Sequence, residues 1–308
     1  MDQALPASGT YVCHGITWAN GDPRLLLAPV PGGTLVYAPV TGRRLAYQVS
    51  GTGRWCTGRY RFADRVRVEA VACPDRAPAE AGGQCAACVG RDDFRFAHRF
   101  HSGGHVPDAL AAYMAQPHWL YLATFADGTT KVGTAAEPRK RSRLDEQGAL
   151  VATYLAQSPD GRAVRFLEDA LTRRLGLTQT VRASAKLTAL AELRDIAPAR
   201  AAHQQHLDRA AEALIDLNIP AVLEPWTPPG EGELLRAPGT GRVLYPHDPR
   251  VGEHGLTVLS CLGSQVLASL DGDGELPYLL DLGALKGRRI ALGAQFCSPP
   301  AVVQSALF

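Results

Sequence analysis

Four cysteines crowd one short stretch of this 308-residue chain: Cys56 in "WCTG", Cys73, and the pair Cys85 and Cys88 in "QCAAC". A C-x-x-C turn brings two thiolates to one side of a loop, and the two upstream cysteines complete a tetrahedral sulfur set for zinc. Sixteen residues separate Cys56 from Cys73, so the first half of the set is not a tight knuckle. The competing reading is a solitary redox pair, with Cys56 and Cys73 as small core residues. A redox C-x-x-C opens a helix in a βαβ setting, which "VGRDDFRFAHRFHSGG" does not resemble. His98, His101 and His105 are alternative ligands or ordinary loop histidines, while Cys13, Cys261 and Cys297 lie in or beside strand-like runs and read as idle thiols.

A second concentration of reactive types follows. The apolar run "HWLYLATFADGTT" ends in an Asp-Gly turn, and "KVGTAAEPRKRSRLDEQGA" then supplies Arg139, Lys140, Arg141 and Arg143 in quick succession. A guanidinium is a planar fork suited to phosphate oxygens. Such a run is equally the ordinary solvated face of a helix.

These residues need elements to hold them. Short runs rich in Val, Tyr and Leu and bounded by glycine turns ("TLVYAPV", "RLAYQVS", "RVRVEAVAC") make the first third β structure. The strands "WLYLATF" and "TKVGTA" open the middle third, and three helical runs follow: "RAVRFLEDALTRRL", "SAKLTALAELRD" and "ARAAHQQHLDRAAEALIDL". In the first of these, Val164, Leu167, Leu171 and Leu175 make one apolar stripe. "PWTPPGEGE" reads as a linker or long turn, and "GRVLYP", "LTVLSCLGSQVLASL", "PYLLDL" and "RRIALGAQF" return the chain to strands.

The whole chain sets few further bounds. With 32 Lys plus Arg against 30 Asp plus Glu, net charge points to no class of partner, and only local clustering speaks. No run approaches the ~18 apolar residues of a membrane span, and no basic-then-apolar leader opens the sequence. Clustered cysteines in a chain expected to be cytoplasmic point to metal before disulfides.

The order "LYL", then "KVG", then Arg143, then a helix carrying Glu168 resembles the GIY-YIG nuclease domain. There two short strands carry the triplets, the next helix an arginine and a later helix a metal-binding glutamate. Tyr121 stands at the tyrosine of the first triplet, Lys131, Val132 and Gly133 at the second, Arg143 at the helix arginine and Glu168 at the glutamate; Lys131 replaces a tyrosine. "YLATF…KVGTA…RLDEQGA", with a cysteine cluster ending in Q-C-x-x-C, is also similar to the bacterial family called domain of unknown function 2797. That likeness covers roughly residues 50 to 175, and "LSCLGSQVLASL" is similar to the family's C-terminal strands.

The resemblance implies an α+β fold: a GIY-YIG-like small sheet with helices, flanked by β-rich N- and C-terminal parts and a zinc-binding module. The expected parts are residues 1–105 with the cysteine cluster, 106–225 as the GIY-YIG-like domain with its following helices, and 226–308. The implied activity is metal-dependent endonuclease cleavage of nucleic acid. Tyr121 would position or deprotonate a water, Lys131 and Arg143 would meet phosphate, and Glu168 would hold Mg²⁺ or another divalent ion, beside a structural zinc on Cys56, Cys73, Cys85 and Cys88. No membrane partner is expected.

Each residue also has a plain structural reading. Tyr121 can be a core aromatic, Lys131 a solvated strand end, and Glu168 a carboxylate at the border of the buried face, paired with Arg165 or Arg173. Two rival functions remain open: a non-catalytic nucleic-acid-binding module on the same scaffold, and a small-molecule enzyme reusing the cleft. A long basic groove would favour nucleic acid, a closed apolar pocket the small molecule.

Overall fold

The computed structural model describes residues 4–64, 66–80, 82–95, 97, 107–237, 242–271 and 273–300. His98, His101 and His105, the alternative metal ligands, lie outside these residues. In chain order the N-terminal strands are β1 (Ser8–Ala19), β2 (Asp22–Pro29), β3 (Val36–Pro39) and β4 (Arg44–Val49). A short hairpin of β5 (Arg59–Phe62) and β6 (Val68–Val71) and the helices α1 (Ala86–Gly90) and α2 (Asp108–Met114) follow. The middle of the chain runs β7 (His118–Thr124), β8 (Thr130–Ala136), α3 (Lys140–Asp145), β9 (Val151–Ser158), α4 (Gly161–Leu175), α5 (Ala183–Glu192), α6 (Ala197–Asp216) and β10 (Glu224–Pro225). The remainder is α7 (Glu233–Arg236), β11 (Val243–Leu244), β12 (Gly252–Leu262), β13 (Gln265–Leu270), β14 (Asp273–Asp281) and β15 (Arg289–Gly293). The class is α+β.

Strands from both ends of the chain share one nine-stranded sheet, in the order β11-β14-β13-β12-β4-β15-β1-β2-β3. Ser8 pairs with Gly293 and Val49 with both Gly252 and Ile290, so neither end completes its hydrogen bonding without the other. Leu25 and Leu27 from one half of the sheet share a core with Val266 and Tyr278 from the other, which makes the sheet curl around its own apolar face.

β1 and β2 are absent from the strands that the sequence pattern marks. Ile16, Thr17 and Trp18 of β1 alternate poorly in polarity, and β2 is buried on nearly every residue after Arg24, so neither shows the clean period of two. β9 also lies outside the runs that the sequence pattern marks. It too is buried along most of its length, as an interior strand covered on both faces must be.

The second sheet has four strands in the order β10-β9-β7-β8. Leu120, Leu122 and Leu155 on one face pack against Val164, Leu171 and Leu175 of α4 and Ala210, Ala213 and Leu214 of α6. The expected stripe on α4 is that contact. Asp160 caps the helix through the amides of Arg162 and Ala163, and Gly176 ends it in the left-handed region. His203 of α6 is pinned between Thr124 Oγ1 and Thr153 Oγ1, each at 2.8 Å.

Trp119, Tyr121, Ala123 and Phe125 form the opposite face, with Leu144 of α3, Tyr154 and Trp226. The segment read as a linker is therefore built in. Glu224 and Pro225 pair with Tyr154 and Thr153 as an edge strand, where a proline without an amide is tolerated. Trp226 then donates its indole N–H to Asp145 Oδ1 at 3.0 Å.

Candidate functional site

Two clusters of chemically capable side chains converge. In the first, Cys56, Cys73, Cys85 and Cys88 are all buried and their sulfurs lie within 4.8 Å of one another. Cys73 Sγ and Cys85 Sγ are 3.9 Å apart. A tetrahedral centre with metal–sulfur bonds of ~2.3 Å needs sulfurs ~3.8 Å apart, so the spacing fits one zinc-sized ion. The amides of Gly58 and Cys85 donate to Cys56 Sγ at 3.3 and 3.1 Å, stabilising negative charge on that sulfur. Position 58 has φ +73°, and a Cβ there would strike Val71 O, so only glycine brings that amide to the sulfur.

Burial pushes the Cys56 and Cys88 thiols up, and hydrogen bonds from the Cys88 amide and the neighbouring thiols hold Cys85 down against the rise that burial causes. Four adjacent thiolates are stable only with a cation among them. Around the cluster, buried Arg76 donates to Cys73 O and, at 2.9 Å, to Pro29 O, tying the cysteine loops to the end of β2. Asp92 accepts from the Tyr60 amide at 3.1 Å and from Gln84 Nε2 at 2.7 Å, which fastens the β5–β6 hairpin beside the cysteines.

The second cluster is ionic. Tyr121 on β7 pairs with Gly133 on β8, and Ala123 with Lys131, so Tyr121, Gly133 and Lys131 share one face of the sheet. The phenol lies across Gly133, where a Cβ would come within 2.5 Å of its ring and hydroxyl. The Lys131 ammonium sits 5.9 Å from the ring centroid and donates to Gln179 O at 3.4 Å. Lys131 is 6% exposed, so it is a buried cation and not a solvated strand end. The Tyr121 hydroxyl is buried and meets no well-aligned hydrogen-bond partner among the described residues, with the Arg143 guanidinium beside it.

Arg143 approaches from α3, on the same side. That helix is clamped by its first residue: Lys140 Nζ lies 3.5 Å from the Trp119 ring centroid and 4.6 Å from that of Tyr154, and binds Glu224 at 2.7 Å. Its end is clamped too. Lys186 of α5 donates to Gln147 O at 2.6 Å, and Gly148 meets the turn between β12 and β13 so closely that a Cβ on Gly263 would stand 2.8 Å from the Gly148 nitrogen. The strings "RLDEQGA" and "LSCLGSQVLASL" thus touch each other.

Glu168 lies on α4, whose stripe packs against the other face of the sheet, yet its charge acts on both Tyr121 and Lys131. Arg165 Nη1 donates to Glu168 Oε2 at 2.5 Å, the nearer of the two pairings open to this carboxylate. Burial lowers Lys131 to about 8, and the charges of Arg143, Lys186 and Arg165 push the same way against Glu168. Lys186 is held at about 8 by its own burial, with Arg143 adding to the effect and Asp281 opposing it. Burial raises Tyr121, with Arg143 and Arg165 opposing.

The chain therefore gathers Tyr121, Lys131, Arg143 and Glu168 into one electrostatic neighbourhood, and adds Arg165 and Lys186. Arg165 was visible as a partner one helical turn from Glu168. Lys186 carried no signal, since "ASAKLTALAE" contains no motif and only the packing of α5 brings it near. The described cavities, of about 330 and 220 Å³, border the large sheet at Arg43 and Arg44 and at Asp22 and Glu231, away from this cluster.

Fold and clusters define an α+β protein with a four-cysteine site able to hold a metal such as zinc. Residues 80–222, a little under half of the chain, match the family described as "Protein of unknown function (DUF2797)". The match takes in Cys85, Cys88 and every member of the ionic cluster but not Cys56 or Cys73. No curated protein and no solved structure gives a significant match. Among the described residues no helix is long and apolar enough to cross a membrane.

Proposed function

We propose that the four-stranded sheet and its helices are a GIY-YIG-like module that grips the phosphodiester backbone of nucleic acid, fastened to its surroundings by a structural zinc ion on Cys56, Cys73, Cys85 and Cys88. One observation carries the reading. Tyr121 and Lys131 lie on paired hairpin strands with the phenol across Gly133, and Arg143 and Glu168, next in the motif's order, act electrostatically on both. The cluster holds Lys131, Arg143, Arg165 and Lys186 against Glu168, an excess of positive charge suited to phosphate. Arg143 and Arg165 are partly exposed and form its accessible rim.

Endonuclease activity is the second reading, favoured by the buried Tyr121 hydroxyl with the Arg143 guanidinium beside it, a pair able to position a reacting water or phosphate. A resident Mg²⁺ does not fit the residues as they stand, because Arg165 already holds the one carboxylate. Fluorescence anisotropy with labelled single- and double-stranded DNA and RNA tests the proposal. Binding should weaken with salt, and Arg143→Ala should lower both affinity and salt slope. Absence of binding at low salt overturns it. Cleavage of the same oligonucleotides, abolished in Glu168→Ala with binding kept, would establish the nuclease reading.

A further inference from the structure

We propose that Arg165 stands in the place of a divalent ion: its guanidinium neutralises Glu168 and, with Lys131, Arg143 and Lys186, receives phosphate oxygens without any metal. The inference rests on the phosphate-binding reading above and names the counter-charge that the site uses.

Three observations point the same way. Glu168 has a side chain only 5% exposed and needs a neutralising partner, and Arg165 supplies it at 2.5 Å from one turn earlier on the same helix. The pair therefore forms whenever α4 forms, with little ordering cost left to bear. The donor set is also wrong for a hard cation, which takes six or more oxygens, several from carboxylates or carbonyls. Neighbouring Asp169 is engaged by Gln179 Nε2 at 2.9 Å. Among the described residues the four cysteines are the only group of three or more His, Cys, Asp or Glu placed to share an ion.

Charge completes the argument. The charges of Arg143, Arg165 and Lys186 act on Lys131 with Glu168 opposing, and Asp281 opposes at Lys186; the cations outnumber the carboxylates, so a divalent ion would enter an already positive site, whereas a phosphodiester would relieve it. The Tyr121 hydroxyl, buried beside the Arg143 guanidinium, is a further donor for a phosphate oxygen. Arg165, at 39% exposure, links this interior to solvent.

The experiment uses the zinc-loaded full chain, without chelator, in two arms. In the first, Mn²⁺ alone is titrated and bound ion is read by electron paramagnetic resonance. Wild type should show no site that depends on Glu168. Arg165→Met, which keeps the aliphatic stem and frees the carboxylate, should show a weak Mn²⁺ site absent from wild type, and Arg165→Met/Glu168→Gln should lose it. In the second, oligonucleotide affinity is measured at matched ionic strength with and without Mg²⁺. Wild type should be indifferent to the ion. Arg165→Met should lose about ten-fold without Mg²⁺ and recover part of it when the ion is added.

A Mn²⁺ site in wild type that Glu168→Gln removes overturns the proposal, as does an Arg165→Met variant, folded by circular dichroism, that gains no site. Should Arg165→Met not fold, Arg165→Lys serves, because its compact ammonium leaves one carboxylate oxygen open and should give a weaker gain. If no form binds oligonucleotide, the phosphate-binding reading fails while the Mn²⁺ arm still decides the question of the ion.

Discussion

The cysteine cluster and the ionic cluster are both convergences of buried polar side chains from separated parts of the chain, yet they are stabilised in opposite ways. The cysteines are four groups of one kind, and the Cys56 sulfur accepts from two backbone amides. Among the described residues no cationic side chain is bonded to the sulfurs, and the four together could hold a metal ion. The ionic cluster contains both signs of charge and satisfies itself in part through the Arg165–Glu168 pair. What it holds in excess is positive charge, at a cost to the fold. Like groups with no counter-charge call for a metal; unlike groups with a surplus call for a ligand of the other sign.

The largest effect expected from breaking this contrast is at the cysteines. Cys85→Ser/Cys88→Ser should take the protein from about one bound zinc per chain to none, and structural zinc sites are worth roughly 10–16 kcal/mol at neutral pH. Elemental analysis gives the first number, and thermal denaturation should show the β5–β6 region melting early. Unchanged stability would mean that the sulfurs hold nothing.

A smaller loss is expected at Gly133→Ala, because the new methyl would collide with the Tyr121 ring. Overpacking of this kind costs about 1–3 kcal/mol, which a denaturant titration resolves. Smaller still, and opposite in sign, is Lys131→Met. Removing a buried cation from a site with surplus positive charge should raise the midpoint of thermal unfolding by the equivalent of about 1 kcal/mol while weakening oligonucleotide binding. No cysteine substitution in the other cluster should stabilise the protein.

The two clusters should also separate on a pH scale. Lys131 and Lys186 are both lowered from 10.5 to about 8 in the folded chain. Between about 8 and 10.5 the unfolded state binds more protons than the folded one, so this pair makes stability rise with pH across that window. Phosphate binding by the folded protein should fall as pH rises through about 8, where these lysines lose charge. Denaturation at stepped pH should show a shallower rise in Lys131→Met than in wild type. Metal retention by the cysteines should fail at the acid end, where protons compete for thiolates.

Sequence alone made some of this legible and hid the rest for physical reasons. The α4 stripe and the C-x-x-C turn are local patterns, and local patterns survive translation into structure. β1, β2 and β9 escaped because they lack clean alternation, and β10 because prolines usually mark a loop. Tyr121, Lys131, Arg143 and Glu168 were nameable only through likeness to a known motif. Arg165 was legible from helical spacing, whereas Lys186 depends on where α5 docks, which no spacing in its own segment encodes.

The pairing of Ser8 with Gly293 has a consequence in time as well as in space. On the ribosome, β1 through β4 emerge long before β15 and β12, the strands that flank β4 in the finished sheet. The contacts between them have nearly the largest sequence separation the chain offers, and such contacts form late. Meanwhile β7, β8 and β9 of the four-stranded sheet, which follow one another closely in the chain, can assemble. The nascent protein therefore carries an open, apolar strand edge through most of its synthesis, a liability in which a chaperone or a neighbouring nascent chain has its opportunity.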